Sequence, residues 1–276
     1  MSAPEAPDLL AALAVAIREV GRDAFLTRPI VEPTPKFFPS AWRPDERGVE
    51  ALLRTLVGHA HMDVEVVAST DREELGETDD DPALSFHPGG KIWLSALEDR
   101  VALFGVDLVD IEDAAGSASH ELAHAFRLLR HSGAARRSPY RRGQAALDPT
   151  TRAAIASDEA RAQAVEVALG FGVLALNHSL VRQSTEIAPV FGKPQPMIGA
   201  GFSFLGGARI MRPRPGHVSP EGVALLFACQ ILARALGDDE VARVTSGLFP
   251  DQKQLLSAEL ERARSRRDSI LLALGL

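Results

Sequence analysis

The chain has 276 residues, of which 46% are hydrophobic and 24% charged, proportions that exclude a fibrous or intrinsically disordered architecture. A formal charge of -7 excludes a dedicated nucleic-acid binder, which needs a surplus of Lys and Arg on one face. The single cysteine, Cys229, rules out an internal disulfide, and no run approaches the roughly 18 apolar residues a membrane-spanning helix requires.

The N-terminal run lacks the basic start of a secretory leader and reads as an amphipathic helix. Leu9, Leu10, Leu13, Ala16 and Ile17 recur at helical spacing after Pro7 and Asp8, and the helix is expected to end near Gly21. Together with the lone thiol this places the protein in a reducing cytoplasm. Residues 27–44 contain five prolines and are expected to wrap over the surface, anchored by Phe37, Phe38 and Trp42.

Asp45 is placed to cap a second amphipathic helix running to His61, with Val49, Leu52, Leu53, Leu56 and Val57 on one face. His59 and His61 near its end cannot face one another and read as structural. Val64, Val66 and Val67 predict a short strand, and the acidic run 74–81 a solvated loop. In residues 83–95, two apolar segments flank Pro88, Gly89 and Gly90, the pattern of a hairpin.

Residues 108–131 predict a helix or a loop feeding one, residues 132–147 an irregular stretch, and Asp148–Pro149 the start of a helix reaching about Leu180. Five glycines and five prolines between Ile187 and Pro215 predict turns, with one short hairpin around 202–211. From Pro220 onwards two or three helices are expected, and the apolar neighbours of Cys229 make it a buried, inert thiol. The fold class is α+β, a mostly helical single domain with a small mixed sheet near its middle.

The run SASHELAHAFRLLRH contains His120, Glu121 and His124. Residues four apart lie on one helix face a turn apart, so both imidazoles can reach one ion at about 2.0–2.1 Å. Glu121 stands about 100 degrees round the axis, beside a bound water and outside the ligand set. A chance match to this pattern in such a chain is on the order of a per cent. The uncharged spacers Leu122 and Ala123, followed by Ala125 and Phe126, suit a buried helix.

A catalytic zinc takes three protein ligands and leaves its fourth position to water. His131 is about 10 Å further along the axis and cannot share the ion, and Arg130 occupies the place of a third histidine in the extended motif. The third ligand is therefore sought in SDEARAQAVEVALGFG. Glu159 is favoured because Ala160, Ala162 and Ala164 permit close approach of another helix; Glu166, seven positions on and on the same face, is the alternative.

With these residues the chain resembles the zincin metallopeptidases, in their glutamate-ligand branch, and at the motif it is similar to ImmA/IrrE-like peptidases. That branch follows HExxH with a helix bearing ExxA and then Asp or Asn; here Glu159 to Ala162 fit and Gln163 takes the final position. The resemblance covers about residues 84–170. It implies a zincin-like core over approximately 62–183, with helical segments 1–61 and 184–276 on either side, and a zinc cofactor held by His120, His124 and Glu159. It also implies Glu121 as general base, and the segment KIWLS as an edge strand along which an extended peptide or protein substrate lies.

Tyr140, His178 and His217 are candidate donors to a developing oxyanion. The cluster Arg127, Arg130, Arg136, Arg137, Arg141 and Arg142 reads as a solvated loop, with steering of an acidic partner as the rival reading. The expected function is a cytoplasmic zinc metallopeptidase; the alternatives are a catalytically inactive zinc-binding regulatory or interaction protein, and a metal-free helical protein in which the motif is accidental.

Overall fold

A computed structural model describes residues 6–38, 43–71, 75, 92–107, 114–130, 159–183, 210–213 and 218–276. The fold is α+β and mostly helical, around one hydrophobic core that runs from Leu9 to Leu274. Helix α1 (Ala6–Val20) buries Leu9, Leu13, Ala16 and Ile17, the predicted stripe. It breaks at Gly21, whose φ of 95° is open to glycine, and the chain turns into α2 (Arg22–Thr27). Phe37 and Phe38 are buried, whereas Trp42 lies outside the described residues.

Helix α3 (Glu46–Ala60) starts as predicted: the Asp45 side chain accepts a hydrogen bond from Gly48 N at 2.7 Å. His59 is structural, its ring edge-on to Phe37 and its Nε2 3.1 Å from Phe37 O. Strand β1 (Glu65–Ser69) follows. It pairs in parallel with β3 (Val101–Val106), which pairs antiparallel with β2 (Ile92–Glu98), giving a three-stranded sheet of order β1-β3-β2.

This hairpin is not the predicted one, whose first arm and turn fall outside the described residues. The chain reverses at Asp99 and Arg100, both at positive φ (44° and 65°), with Glu98 opposite Val101. Two successive residues at positive φ match the twist of the flanking strands, and the absence of glycine hides the turn from a reading of sequence.

Helix α4 (Ala114–Arg130) runs through Gly116 and Ser117 and packs along β2. The next helix is described over 159–178, as α5 (159–166), a π-helical turn Val167–Phe171 and α6 (Gly172–His178). The kink sits at Gly170, with φ 99°. A Cβ there would lie 2.5 Å from Pro29 O, while the Gly170 carbonyl accepts from Val31 N at 2.8 Å. Gln230 donates to the Val167 carbonyl, so groups displaced by the wide turn find partners outside the helix.

The helix ends at His178, close to the expected end at about Leu180, and a strand that was not expected follows it at once. Residues Leu180–Gln183 form β4, which pairs antiparallel with β5 (Ile210–Pro213). Four helices complete the chain where two or three were expected: α7 (Pro220–Ala233), α8 (Asp238–Ser246), α9 (Pro250–Arg264) and α10 (Arg267–Leu274). Helix α7 is apolar almost all round because α1, α6, α9 and α10 surround it. Cys229 within it is fully buried, and loss of solvent pushes its thiol up to about 12, the inert state expected. Among the described residues no helix is long and apolar enough to cross a membrane.

Candidate metal centre

Helices α4 and α5 build the site between them. Ala162 and Ala164 are fully buried and Ala160 nearly so, and these small side chains let α5 come close enough for a carboxylate to reach the imidazoles. His120, His124 and Glu159 are all buried, and their ligand atoms lie within 4.8 Å of one another. His120 Nε2 is 3.1 Å from Glu159 Oε2, and His124 Nε2 is 3.4 Å from Glu159 Oε1. Bonds of about 2.05 Å in a tetrahedron place neighbouring ligand atoms about 3.3 Å apart, so both separations suit three ligands on one small ion.

The two candidate glutamates prove to have different places. Glu166 lies on the far side of His120: its Oε2 is 3.2 Å from His120 Nδ1, and its Oε1 accepts from Ser119 Oγ at 2.6 Å. Gln163 Nε2 also donates to Glu166 Oε2. The carboxylate is fully buried and has hydrogen-bond donors at both oxygens. It therefore fixes the ring of His120 with Nδ1 turned inward and Nε2 presented to Glu159.

A neutral imidazole can donate from only one of its nitrogens, yet both nitrogens of His120 face carboxylate oxygens. One arrangement that satisfies both is a cation. Burial alone would lower the pKa of His120, but the hydrogen bonds and negative charges of Glu159 and Glu166 outweigh it and hold the ring well above its ordinary value of 6.5. Burial alone would likewise raise Glu159, whereas the hydrogen bonds and charges of His120 and His124 hold it well below 4.5. The other arrangement replaces the proton on Nε2 with a metal ion and keeps Nδ1–H on Glu166, the pattern by which metal-binding histidines are oriented. This donor set of two imidazoles and one carboxylate fits a divalent metal ion.

Glu121 is not in the cluster, as its position on the helix required. Its Oε2 accepts from Leu94 N of β2 at 2.8 Å, and one turn earlier Ser117 Oγ donates to Ile92 O at 3.2 Å. Among the described residues β2, which holds four of the five residues of KIWLS, has β3 as its one neighbouring strand. Two of its outward backbone groups, however, already bond to α4. The second oxygen of Glu121 has no donor among the described residues.

His178 is buried, and its ring lies nearly parallel to that of His120 with centroids 6.2 Å apart; it is outside the ligand cluster. Tyr140 and His217 fall outside the described residues, as do Arg136, Arg137, Arg141 and Arg142. Arg130 lies over the ring of Phe126, 5.3 Å from its centroid.

Sequence reasoning missed the roles of Ser117, Ser119, Gln163 and Leu94. It treated Glu166 as a rival of Glu159 when the two flank opposite nitrogens of one ring. The shared helical face of Glu159 and Glu166 was the available signal. No known protein-family model, curated protein or solved structure matches the chain.

Proposed function

We propose that the chain is a cytoplasmic zinc-dependent hydrolase, specifically a metallopeptidase with a zincin-like active-site helix, acting on a peptide or protein substrate. The convergence of His120 Nε2, His124 Nε2 and Glu159 in one buried cluster is the observation that carries this reading. Zinc held by these three residues supplies a Lewis acid that polarises a carbonyl and brings the pKa of a water towards about 7.

The protein's own part is to orient and to move protons. Glu166 and Ser119 hold His120 with Nε2 outward. The Leu94 amide fixes one oxygen of Glu121, and the other takes a proton from the attacking water and returns it to the leaving nitrogen. Glu121→Gln keeps the shape and loses the base, so zinc content is expected to stay unchanged while cleavage of a peptide library, read by mass spectrometry, disappears. Cleavage at the wild-type rate by that variant refutes the role of Glu121.

One observation favours a second reading, a zinc-binding regulatory or interaction protein without catalysis. Ser117 and Glu121 seal the edge of β2 at Ile92 and Leu94, the backbone groups an added peptide strand would use. Under that reading Glu121→Gln retains full biological activity.

A further inference from the structure

Two arginines far apart in sequence meet at the ends of helices. Arg28 is the C-cap of α2 and Arg234 the C-cap of α7. The guanidinium of Arg234 lies over the ring of Phe25, 5.4 Å from its centroid, and its Nη1 donates to the Arg28 carbonyl. That bond explains one nitrogen, since cations suit helix C-termini. Arg28 Nε and Nη1 and Arg234 Nε and Nη2 remain shielded from water with no acceptor among the described residues.

Neither arginine forms an ion pair with a carboxylate among the described residues, and the neighbouring charge that acts on Arg234 is the Arg28 cation itself. Burial and that repulsion lower Arg234 to about 10, and burial lowers Arg28. Two adjacent cations with buried N–H groups and no counter-charge are costly in a folded protein unless an anion joins them. Gly170 adjoins the pair, because a Cβ on it would lie 4.0 Å from Arg28 Cγ.

We propose that Arg28 and Arg234 form a binding site for a phosphate group, separate from the His120–His124–Glu159 cluster. Guanidinium edges match phosphate oxygens as paired donors, and the Phe25 ring, which covers a face of Arg234, leaves its edge for the ligand. A phosphate dianion balances both charges, whereas a carboxylate leaves one uncompensated. Both residues are half-buried and so border solvent, and binding requires the shielded nitrogens to turn outward to meet the anion.

The test is urea unfolding of wild type, Arg28→Gln and Arg234→Gln in inorganic phosphate, sulfate, acetate or chloride at matched ionic strength. Wild type is expected to gain stability in phosphate in proportion to the logarithm of its concentration once above the dissociation constant, with the unfolding equilibrium shifted about elevenfold at ten times that constant. Arg28→Gln is expected to lose that gain and, without phosphate, to be at least as stable as wild type because the cation repulsion is gone. Its side chain makes no hydrogen bond among the described residues, so this variant carries the test even if Arg234→Gln fails to fold.

A phosphate gain no larger than in chloride overturns the proposal, as does an equal gain in acetate. An unchanged gain in Arg28→Gln also overturns it, by placing the phosphate elsewhere, the metal cluster included.

Discussion

Replacing Glu166 by Gln isolates the part that one buried carboxylate plays in a site it does not enter. The substitution keeps volume and removes the negative charge at His120 Nδ1, 3.2 Å away, and it leaves Ser119 Oγ and Gln163 Nε2 competing for one remaining acceptor. A hydrogen bond to a charged group contributes about 1.5–3 kcal/mol. At about 1.4 kcal/mol per tenfold, its loss lowers zinc affinity by roughly 10- to 100-fold, the range seen when the partner of a metal-binding histidine is removed. The assay is a competition titration with a chromophoric chelator at pH 7. Glu159→Gln, which alters a ligand directly, is expected to cost more than Glu166→Gln. An affinity within twofold of wild type for Glu166→Gln, or a cost exceeding that of Glu159→Gln, refutes the assignment of the two glutamates.

Two further outcomes follow from the same structure. In chelator, the charge of His120 stabilises the fold fully below its ordinary value of 6.5, and this contribution is lost as the pH rises through the raised folded value; that of Glu159 is present above 4.5 and lost as the pH falls through its depressed value. Urea unfolding in chelator should therefore show stability falling as the pH climbs past 6.5, and zinc, which replaces the proton, should remove that decline; flat stability to pH 9 in chelator contradicts the assignment of charge. Gly170→Ala combines a residue at φ 99° with a Cβ 2.5 Å from Pro29 O, and is expected to cost at least about 2 kcal/mol in the same assay, whereas a loss under about 0.5 kcal/mol would show that the kink relaxes freely.

The helical parts of the fold were readable because their signals are local. The stripe Leu9–Leu13–Ala16–Ile17 and the cap at Asp45 each lie within a few residues of what they determine, and α1 and α3 appear where they were expected. Strand β3 was not readable: VALFGV is a short apolar run without alternation, and its turn at Asp99–Arg100 lacks the glycine that marks such reversals. The kink at Gly170 depends on Pro29 and Val31, about 140 residues earlier in the chain, and β4 depends on β5, which is distant in sequence. Neither relation leaves a trace in the neighbouring residues.

The site divides along the same line. His120, Glu121 and His124 follow from helical spacing alone, and Glu159 from the alanines that let α5 approach. Spacing reports which face a residue occupies but not how deep the opposing ring sits between two turns. Glu159 and Glu166, some 10 Å apart along an ideal helix, therefore appeared to compete for one position, whereas His120 inserts between them and uses both.

Metal analysis of protein purified without added metal tests the central claim most directly. The account predicts about one zinc per chain in wild type and in Glu121→Gln, and loss of that zinc in a His120→Ala, His124→Ala double variant that stays folded by circular dichroism. Wild-type protein free of any transition metal, and unable to take up zinc on addition, contradicts it.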